Sequence, residues 1–499
     1  MKIPLLWLAA LNSLLVACTT VGPDYHAPPI ATPRQWSQPS VALARLESWW
    51  RNFNNPLLND LIPQAIAANL ELKQALLRVK DARILRSQTI AAGLPALNAK
   101  SSLSKRLNSS SQTNGSSQGN TGSGGFVVGN QLINVFQLGF DAQWELDFFG
   151  ATRRAVQAAE ANIGIEEENS RDVLVSLLAE LARNVLALQH NQRLLALTQD
   201  SLTRHRASVQ LLELQEKSGL TNALAVAQAQ ALMASTKAQL PVYQTQIELA
   251  VHAIGVLLGK DPNALMHQLT NAPPPNAEPA RLLLTDLPAD LLKRRPDVRK
   301  AEQQLVLATA NVGIASADLY PKINLAAFLG VQNMRISDFT PVGKSWSSSA
   351  SVTMPLFNWG KLNALLSSKK VQTEQAVSNY QQSILLAFQE VEDALSTYRQ
   401  QAYRATALQT QLQASQLSLQ LSTARYQAGL SDFLTVLDAR QAVYNAERDC
   451  LSHTNEQDNT LLALYKALGG GWQTVSAVNG QAQSLNKPLA TQLFERVWQ

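Results

Sequence analysis

Two stretches, KSGLTNALAVAQAQ at residues 217–230 and QAGLSDFLTVLDARQ at 427–441, share one pattern: glycine, leucine, a small hydroxyl residue, then a helix-like apolar run. Gly219 and Gly429 lie 210 residues apart, and the same offset superimposes Leu220 on Leu430 and Leu224 on Leu434. It also carries Gly150 of DFFG onto Gly360 of FNWG, and LLG at 257–259 onto ALG at 467–469. A constant offset of this size marks a repeated unit, and internal repetition decides architecture before local detail does. One segment leaves the register. Pro95 of GLPAL matches Pro321 of LYPKI at an offset of 226, so the first copy holds 16 more residues between its proline and its FG. The excess falls in the Ser/Asn/Gly-rich run at 108–125, which has the composition of a loop. No Lys-Ser/Thr follows its glycines, so it is not a phosphate-binding loop.

Working outward, each copy reads as two long helical segments. Leu174, Leu181, Leu188, Leu195, Leu202 and Val209 recur every seven residues, and the 210 offset places Ile384, Val391, Tyr398, Ala405, Leu412 and Leu419 opposite them. Sustained seven-residue spacing implies left-handed coiled-coil packing. Residues 151–217 contain no proline. As one helix they would reach ~100 Å, far too long for a globular core. The segments 221–258 and 57–92 are each about half as long, so two of them stacked end to end would match one long helix. This predicts a tall helical wall, built twice per chain.

Between the proline and the FG of each copy the period changes to two. Phe136, Leu138, Phe140, Ala142, Trp144 and Leu146 alternate with polar residues or glycine, as do Trp346, Ala350, Val352, Met354 and Leu356. Weaker alternation runs over 97–103 and 323–329. Each copy therefore supplies one hairpin with an apolar and a polar face, as in a transmembrane β-barrel or a half-buried soluble sheet. The run at 108–125 would join two strands at the end away from the helices, as an extracellular loop.

The N-terminus and composition favour the membrane reading. Residues 3–18, IPLLWLAALNSLLVAC, form an apolar run too short to span a bilayer and end in a cysteine after LVA. Residues 1–17 read as a signal peptide and Cys18 as an acylated mature N-terminus. Thr19, where an inner-membrane lipoprotein would carry aspartate, favours the outer membrane. The other cysteine is Cys450, so lipidation of Cys18 rules out an intrachain disulfide. Charged residues make up 16% of the chain, against ~25% in soluble domains. The net charge of +5 comes from 42 basic and 37 acidic side chains, and the basic ones are scattered, which argues against nucleic acid as a partner. No mature segment approaches ~18 consecutive apolar residues, leaving a closed barrel as the spanning structure. Four strands cannot close one, since known bacterial barrels start at about eight. Several chains must share it.

The start CTTVGPDYHAPP, the stretch SWWRNFNNPLLNDLIPQAIAANLEL, the double helical repeat and the GLT and GLS turns together resemble TolC-like outer-membrane factors, in the OprM-type or NodT lipoprotein branch. The resemblance runs from Cys18 to about Gly470. It implies a homotrimer with a shared transmembrane β-barrel, four strands per chain, continuous with a long periplasmic α-helical barrel. It divides the chain into a lipid-anchored segment at 18–56, a first repeat at 57–259, an equatorial linker at 260–288, a second repeat at 289–470 and an equatorial tail at 471–499. It further implies a passive exit duct for drugs or other small molecules, working with a periplasmic adaptor and an inner-membrane pump of RND type. A type I secretion duct would share this fold. A self-sufficient porin would need an open tip, and a structural envelope lipoprotein would need soluble sheet.

In this reading Gly219 and Gly429 are the turns at the periplasmic tip. The resemblance implies that Leu434 and Asp438 line the channel constriction and that Tyr426 braces it. A leucine ring excludes water and a carboxylate ring holds or selects cations. The first copy carries Leu224 and Gln228 at the matching places. Ala225 stands where the family often has an acid, which puts any salt bridge between hairpins in doubt. The 6 histidines show neither ligand nor triad spacing, and no nucleotide motif appears. Neither an enzyme nor a bound cofactor is expected, apart from the lipid on Cys18.

Overall fold

The computed structural model describes residues 20–29, 46–111, 128–270, 294–333 and 344–473. A 3-10 turn at Leu46–Phe53 leads into the first copy: α1 (Pro56–Ala68), α2 (Leu70–Ala92), β1 (Ala96–Ser111), β2 (Val128–Leu146), α3 (Ala151–Lys217) and α4 (Ala223–Leu257). After a short α5 (Met266–Thr270), the second copy gives α6 (Pro296–Ala317), β3 (Lys322–Asn333), β4 (Lys344–Thr353), α7 (Lys361–Gln427) and α8 (Phe433–Ala467). The long helices α3 and α7 have 67 residues each, and α4 and α8 have 35 each.

The seven-residue seam explains why helices this long stay straight enough to pack. Leu174, Leu181, Leu188, Leu202 and Val209 are all buried. They are enclosed because α3 has neighbours on both flanks, α2 and α4 on one and α6 and α8 on the other. Within the chain α7 packs against α6 and α8. Its seam is buried at Ile384 and Val391 but only half-buried at Ala405, Leu412 and Leu419. Among the described helices α3 alone is long and apolar enough to cross a membrane by length and composition, and 61% of that stretch is buried inside the wall.

The expected helix over 57–92 is in fact two. It breaks at Asn69, whose ψ of 128° is extended and whose side-chain oxygen caps α2 by accepting from Leu72 N at 2.8 Å. The same amide donates to Leu257 O at the end of α4, 3.0 Å away. Thus α4 stacks under α2 and the two together flank α3. In the second copy α8 stacks under α6, and Arg295 stands where Asn69 stood. Its guanidinium donates to Ala467 O at 2.9 Å, to Glu390 at 2.7 Å and to Asp297 at 2.6 Å. The main apolar core lies at this level, with Trp49 stacked on Tyr465 at 5.5 Å between ring centroids.

The strands form one antiparallel sheet in the order β1-β2-β3-β4. Register fixes the faces. Phe140 pairs with Leu329 and Leu329 with Trp346, so these exposed apolar side chains share one face. Gln143 pairs with Ala326 and Ala326 with Ser349 on the other. Phe328 is an apolar residue on that polar face. Its ring covers the Gly139–Gly330 pair so closely that a Cβ on either glycine would sit 2.7 or 2.8 Å from Phe328 Cζ.

β1 is longer than the alternation implied. Residues 108–111, expected in the loop, are strand, because each is registered against β2. The rest of that loop, 112–125, lies outside the described residues, as do Cys18, 271–288 of the linker and 474–499 of the tail.

Removing either junction side chain orphans a carbonyl inside the wall. Asn69→Ala is expected to cost about 1–3 kcal/mol through the lost cap and the unpaired Leu257 O. Arg295→Ala should cost a similar ~1–3 kcal/mol through Ala467 O. The carboxylates it releases add little, since Asp297 and Glu390 are 40% and 57% exposed and return to water. Denaturant unfolding in detergent, followed by far-UV circular dichroism, measures both. Unshifted midpoints would mean the junctions are held by apolar packing alone.

Candidate functional site

At the end of the helices farthest from the sheet, α3 and α7 terminate alike. Gly219 has φ 71° and Gly429 φ 69°, the left-handed region that glycine enters without steric cost. In each turn the following leucine closes the helix. Leu220 N reaches Gln215 O at 2.8 Å and Gly219 N reaches Glu216 O at 2.9 Å; Leu430 N to Arg425 O and Gly429 N to Tyr426 O are both 2.9 Å. This is the Schellman arrangement. The next helices start under polar caps, with Asn222 accepting from Ala225 N at 3.0 Å and Asp432 from Leu434 N at 3.4 Å.

The two hairpins enclose a small apolar cluster of their own. Val209 and Leu212 of α3, Val226 and Ala229 of α4, and Phe433, Val436 and Leu437 of α8 form its buried part. Leu434 and Tyr426 are half-buried against it. Tyr426 stands edge-on to Phe433, centroids 5.0 Å apart, and its hydroxyl accepts a 2.7 Å hydrogen bond from Gln215 of α3. Asp438, one turn beyond Leu434, is exposed, and among the described residues it has no ion-pair partner. The structure therefore brings Tyr426 and Leu434 together and leaves Asp438 on the free surface of α8.

The first hairpin is plainer. Leu224 and Gln228 are exposed, while Ala225 is 2% exposed inside the cluster. A carboxylate at Ala225 would be desolvated against Val226 and Phe433, which accounts for the small residue there.

Three contributors were not read from the sequence. Gln215 holds Tyr426. Arg440 of α8 donates to Ser208 of α3 at 2.6 Å, and its guanidinium lies 5.9 Å from the Phe433 ring centroid. The 210 offset held a signal for the aromatic pair: Tyr426 matches Glu216 and Phe433 matches Ala223, so the pair exists in one copy only.

At the opposite end of the helices, the segment after the cysteine is clamped where β2 meets α3. Val21 N donates to Phe149 O at 3.2 Å. Arg154, 4% exposed, donates to Val21 O and Gly22 O at 3.2 and 3.1 Å and pairs with Asp24 at 2.9 Å. Tyr25 donates to Glu302 at 3.0 Å, and burial together with that carboxylate pushes its phenol pKa up.

Comparison with known proteins agrees with this architecture. Residues 61–260 and 287–470 match the family model described as outer membrane efflux protein. The chain is 32% identical to the solvent efflux pump outer membrane protein SrpC of Pseudomonas putida, over 92% of this chain and 96% of SrpC. It is 28% identical to the probable outer membrane lipoprotein SilC of Salmonella typhimurium, over 92% and 97% of the two chains. Among solved structures, the outer-membrane channel OprN superimposes with a TM-score of 0.80 at 32% identity, covering 91% of this chain and all of that one.

Two substitutions separate the parts of the tip. Gly429→Ala meets nothing within 4 Å, so its cost is conformational alone, about 1–2 kcal/mol. Tyr426→Phe keeps the ring on Phe433 and loses the bond from Gln215, about 1 kcal/mol. Amide exchange at the tip should accelerate by about 5- to 30-fold in both. Exchange as slow as wild type in Tyr426→Phe would show that the Gln215 bond does not hold the hairpins.

Proposed function

The chain belongs to the outer membrane efflux protein family, and from that premise we propose that it works as a trimeric exit duct, closed at its helical tip. The observation that carries this reading is continuity: each sheet hairpin leads into a 67-residue helix within a few residues, four after β2 and seven after β4, the last of them Gly150 or Gly360. A lipid-facing sheet joined to helices of ~100 Å is suited to carrying solutes through the outer membrane and across the periplasm. The cargo is drugs or other small molecules. With no nucleotide motif, the energy comes from an inner-membrane pump, of RND type, joined through a periplasmic adaptor.

Internal symmetry supports closure by further copies. Val371 and Leu385 of α7 are exposed, whereas their counterparts in α3, Ala161 and Val175, are buried. On α2, Ile84 is exposed and its counterpart in α6, Ala310, is buried. The flank of α7 is therefore complementary to α2 and α4 of the next copy, and β4 to its β1. Three copies give twelve strands. Cys18 carries the lipid, which the clamped Val21–Asp24 segment would deliver at the inner face of the membrane; its chains supplement the barrel at ~0.8 kcal/mol per buried CH₂. Leu434 and Asp438 form the constriction, one ring sealing and one holding cations, with Tyr426 as brace.

Two experiments test this. Within the chain Ala142 pairs with Ala327; the two offsets carry that pair to Val352 and, on the next copy, Ser101. Val352→Cys with Ser101→Cys, in a Cys450→Ser background, should oxidise to a ladder ending at three chains. Val352→Cys with Lys105→Cys should not. A ladder ending at two would refute the trimer. In planar bilayers, Asp438→Asn should weaken block by divalent cations, and Leu434→Ala should raise resting conductance. If both variants match wild type, the gate lies elsewhere.

A further inference from the structure

The buried seam of α3 changes chemistry on its way to the tip. Leu181 and Leu188 belong to the main core, and Val209 and Leu212 to the tip cluster. Between them the buried leucines Leu194 and Leu202 are interleaved with four polar side chains, Thr198, Ser201, His205 and Ser208. From α8, Tyr444 Oη lies 3.1 Å from Thr198 Oγ1, and Arg440 donates to Ser208 at 2.6 Å. Two apolar blocks are thus separated by a layer in which α3 and α8 meet through hydrogen bonds. Such a layer can be undone by one proton where a packed apolar seam cannot.

His205 sits in that layer, 2% exposed. Its Nε2 is 3.1 Å from Ser201 Oγ on its own helix, and its Nδ1 is buried without a partner. The charged groups acting on it are Arg440 from α8 and Arg204 from α3; burial and these two cations hold the imidazole pKa below its usual value. Asp200, five residues back, is taken up by Arg204 at 2.5 Å. From α4, Tyr243 joins the layer through Tyr444 and Thr198.

We propose that Arg440, Ser208 and His205 form a latch that positions Leu434 and Asp438, and that a proton taken up by His205 releases it. Arg440 lies two residues beyond Asp438 and reaches toward Phe433, so its grip on Ser208 fixes the first turns of α8 against α3. A proton on Nδ1 makes a buried imidazolium in the field of two arginines, and among the described residues no carboxylate is hydrogen-bonded to it. Separation of α8 from α3 relieves that by admitting water. The sign follows from linkage. The docked arrangement lowers the histidine pKa, so docking is fully favoured above the ordinary value near ~6.5 and is lost progressively as pH falls below it. The proposal rests on the constriction reading of Leu434 and Asp438.

The test uses full-length trimers in a Cys450→Ser background, spin-labelled at the exposed positions Gln210 of α3 and Thr435 of α8. Distances between labels and bilayer conductance are measured at about pH 7.5 and about pH 5.5. Wild type should show a longer distance and several-fold higher conductance in acid. His205→Asn keeps a partner for Ser201 but takes no proton, and should stay short and quiet at both values. Arg440→Gln should be long and conducting already at neutral pH. An acid response retained in His205→Asn, a His205→Asn channel open at neutral pH, or an unresponsive wild type would each overturn the latch. Acid-driven separation that depends on His205 but leaves conductance unchanged would keep the latch and overturn the constriction instead.

Discussion

A helix that ends inside a wall leaves carbonyls with no water to accept from, and this chain meets that problem twice at one level. Leu257 O and Ala467 O, 210 residues apart, are both covered by a side chain entering from the helix stacked above. One is Asn69 and the other Arg295, 226 residues apart, so both repeat offsets meet at a single kind of joint. The stacked helices run in the same direction, and their dipoles add across the junction. Without these joints α4 and α8 could not continue the line of α2 and α6, and the long α3 would have flanking support along only part of its length.

Two different side chains fill the equivalent place for different reasons. Asn69 is short, and it serves as cap for α2 and donor to α4 at once. Arg295 has to reach, and it spends its other donors on Asp297 and Glu390, which ties α6 to α7 as well. The second junction therefore also fixes a lateral contact, whereas α2 is tied to α3 away from its junction, through Arg78–Glu166, Arg83–Glu167 and Arg86–Glu160.

Much of the architecture was legible in the sequence because it rests on period. Seven-residue spacing gave the long helices, and 151–217 proved to be one helix end to end. Period-two stretches located all four strands. What period could not show was an interruption that conserves helix-forming composition, and the break at Asn69 sits between alanines and leucines that suit either outcome. Strand ends were missed for the opposite reason. Ser109 and Ser110 look like loop, but a strand registered to a neighbour needs no apolar alternation to satisfy its backbone. At the tip, Tyr426 and Leu434 were marked by the family resemblance, and the residues that contact the tip from α3 could not be read from local sequence. Gln215 lies 211 residues from Tyr426, and Ser208 lies 232 from Arg440.

The repeats agree in their helical frame and differ at the tip. Helix lengths, turn glycines and end-to-end stacking match between copies, as they must if alternating units are to close a ring. The aromatic pair, the Arg440 contact and Asp438 belong to the second hairpin alone. A ring built from two kinds of hairpin need not move as one piece. On the constriction proposed above, the plain hairpin, with Ala225 packed in the cluster, would be the fixed wall against which the other closes. Gln215 and Ser208 sit on α3, so beside the apolar cluster the two hairpins are also joined by side-chain hydrogen bonds, about 1 kcal/mol for Gln215 to Tyr426 and ~1.5–3 kcal/mol for the charged Arg440 to Ser208. On that proposal the hydrogen bonds can be lost singly, while the apolar cluster keeps the hairpins from coming apart altogether.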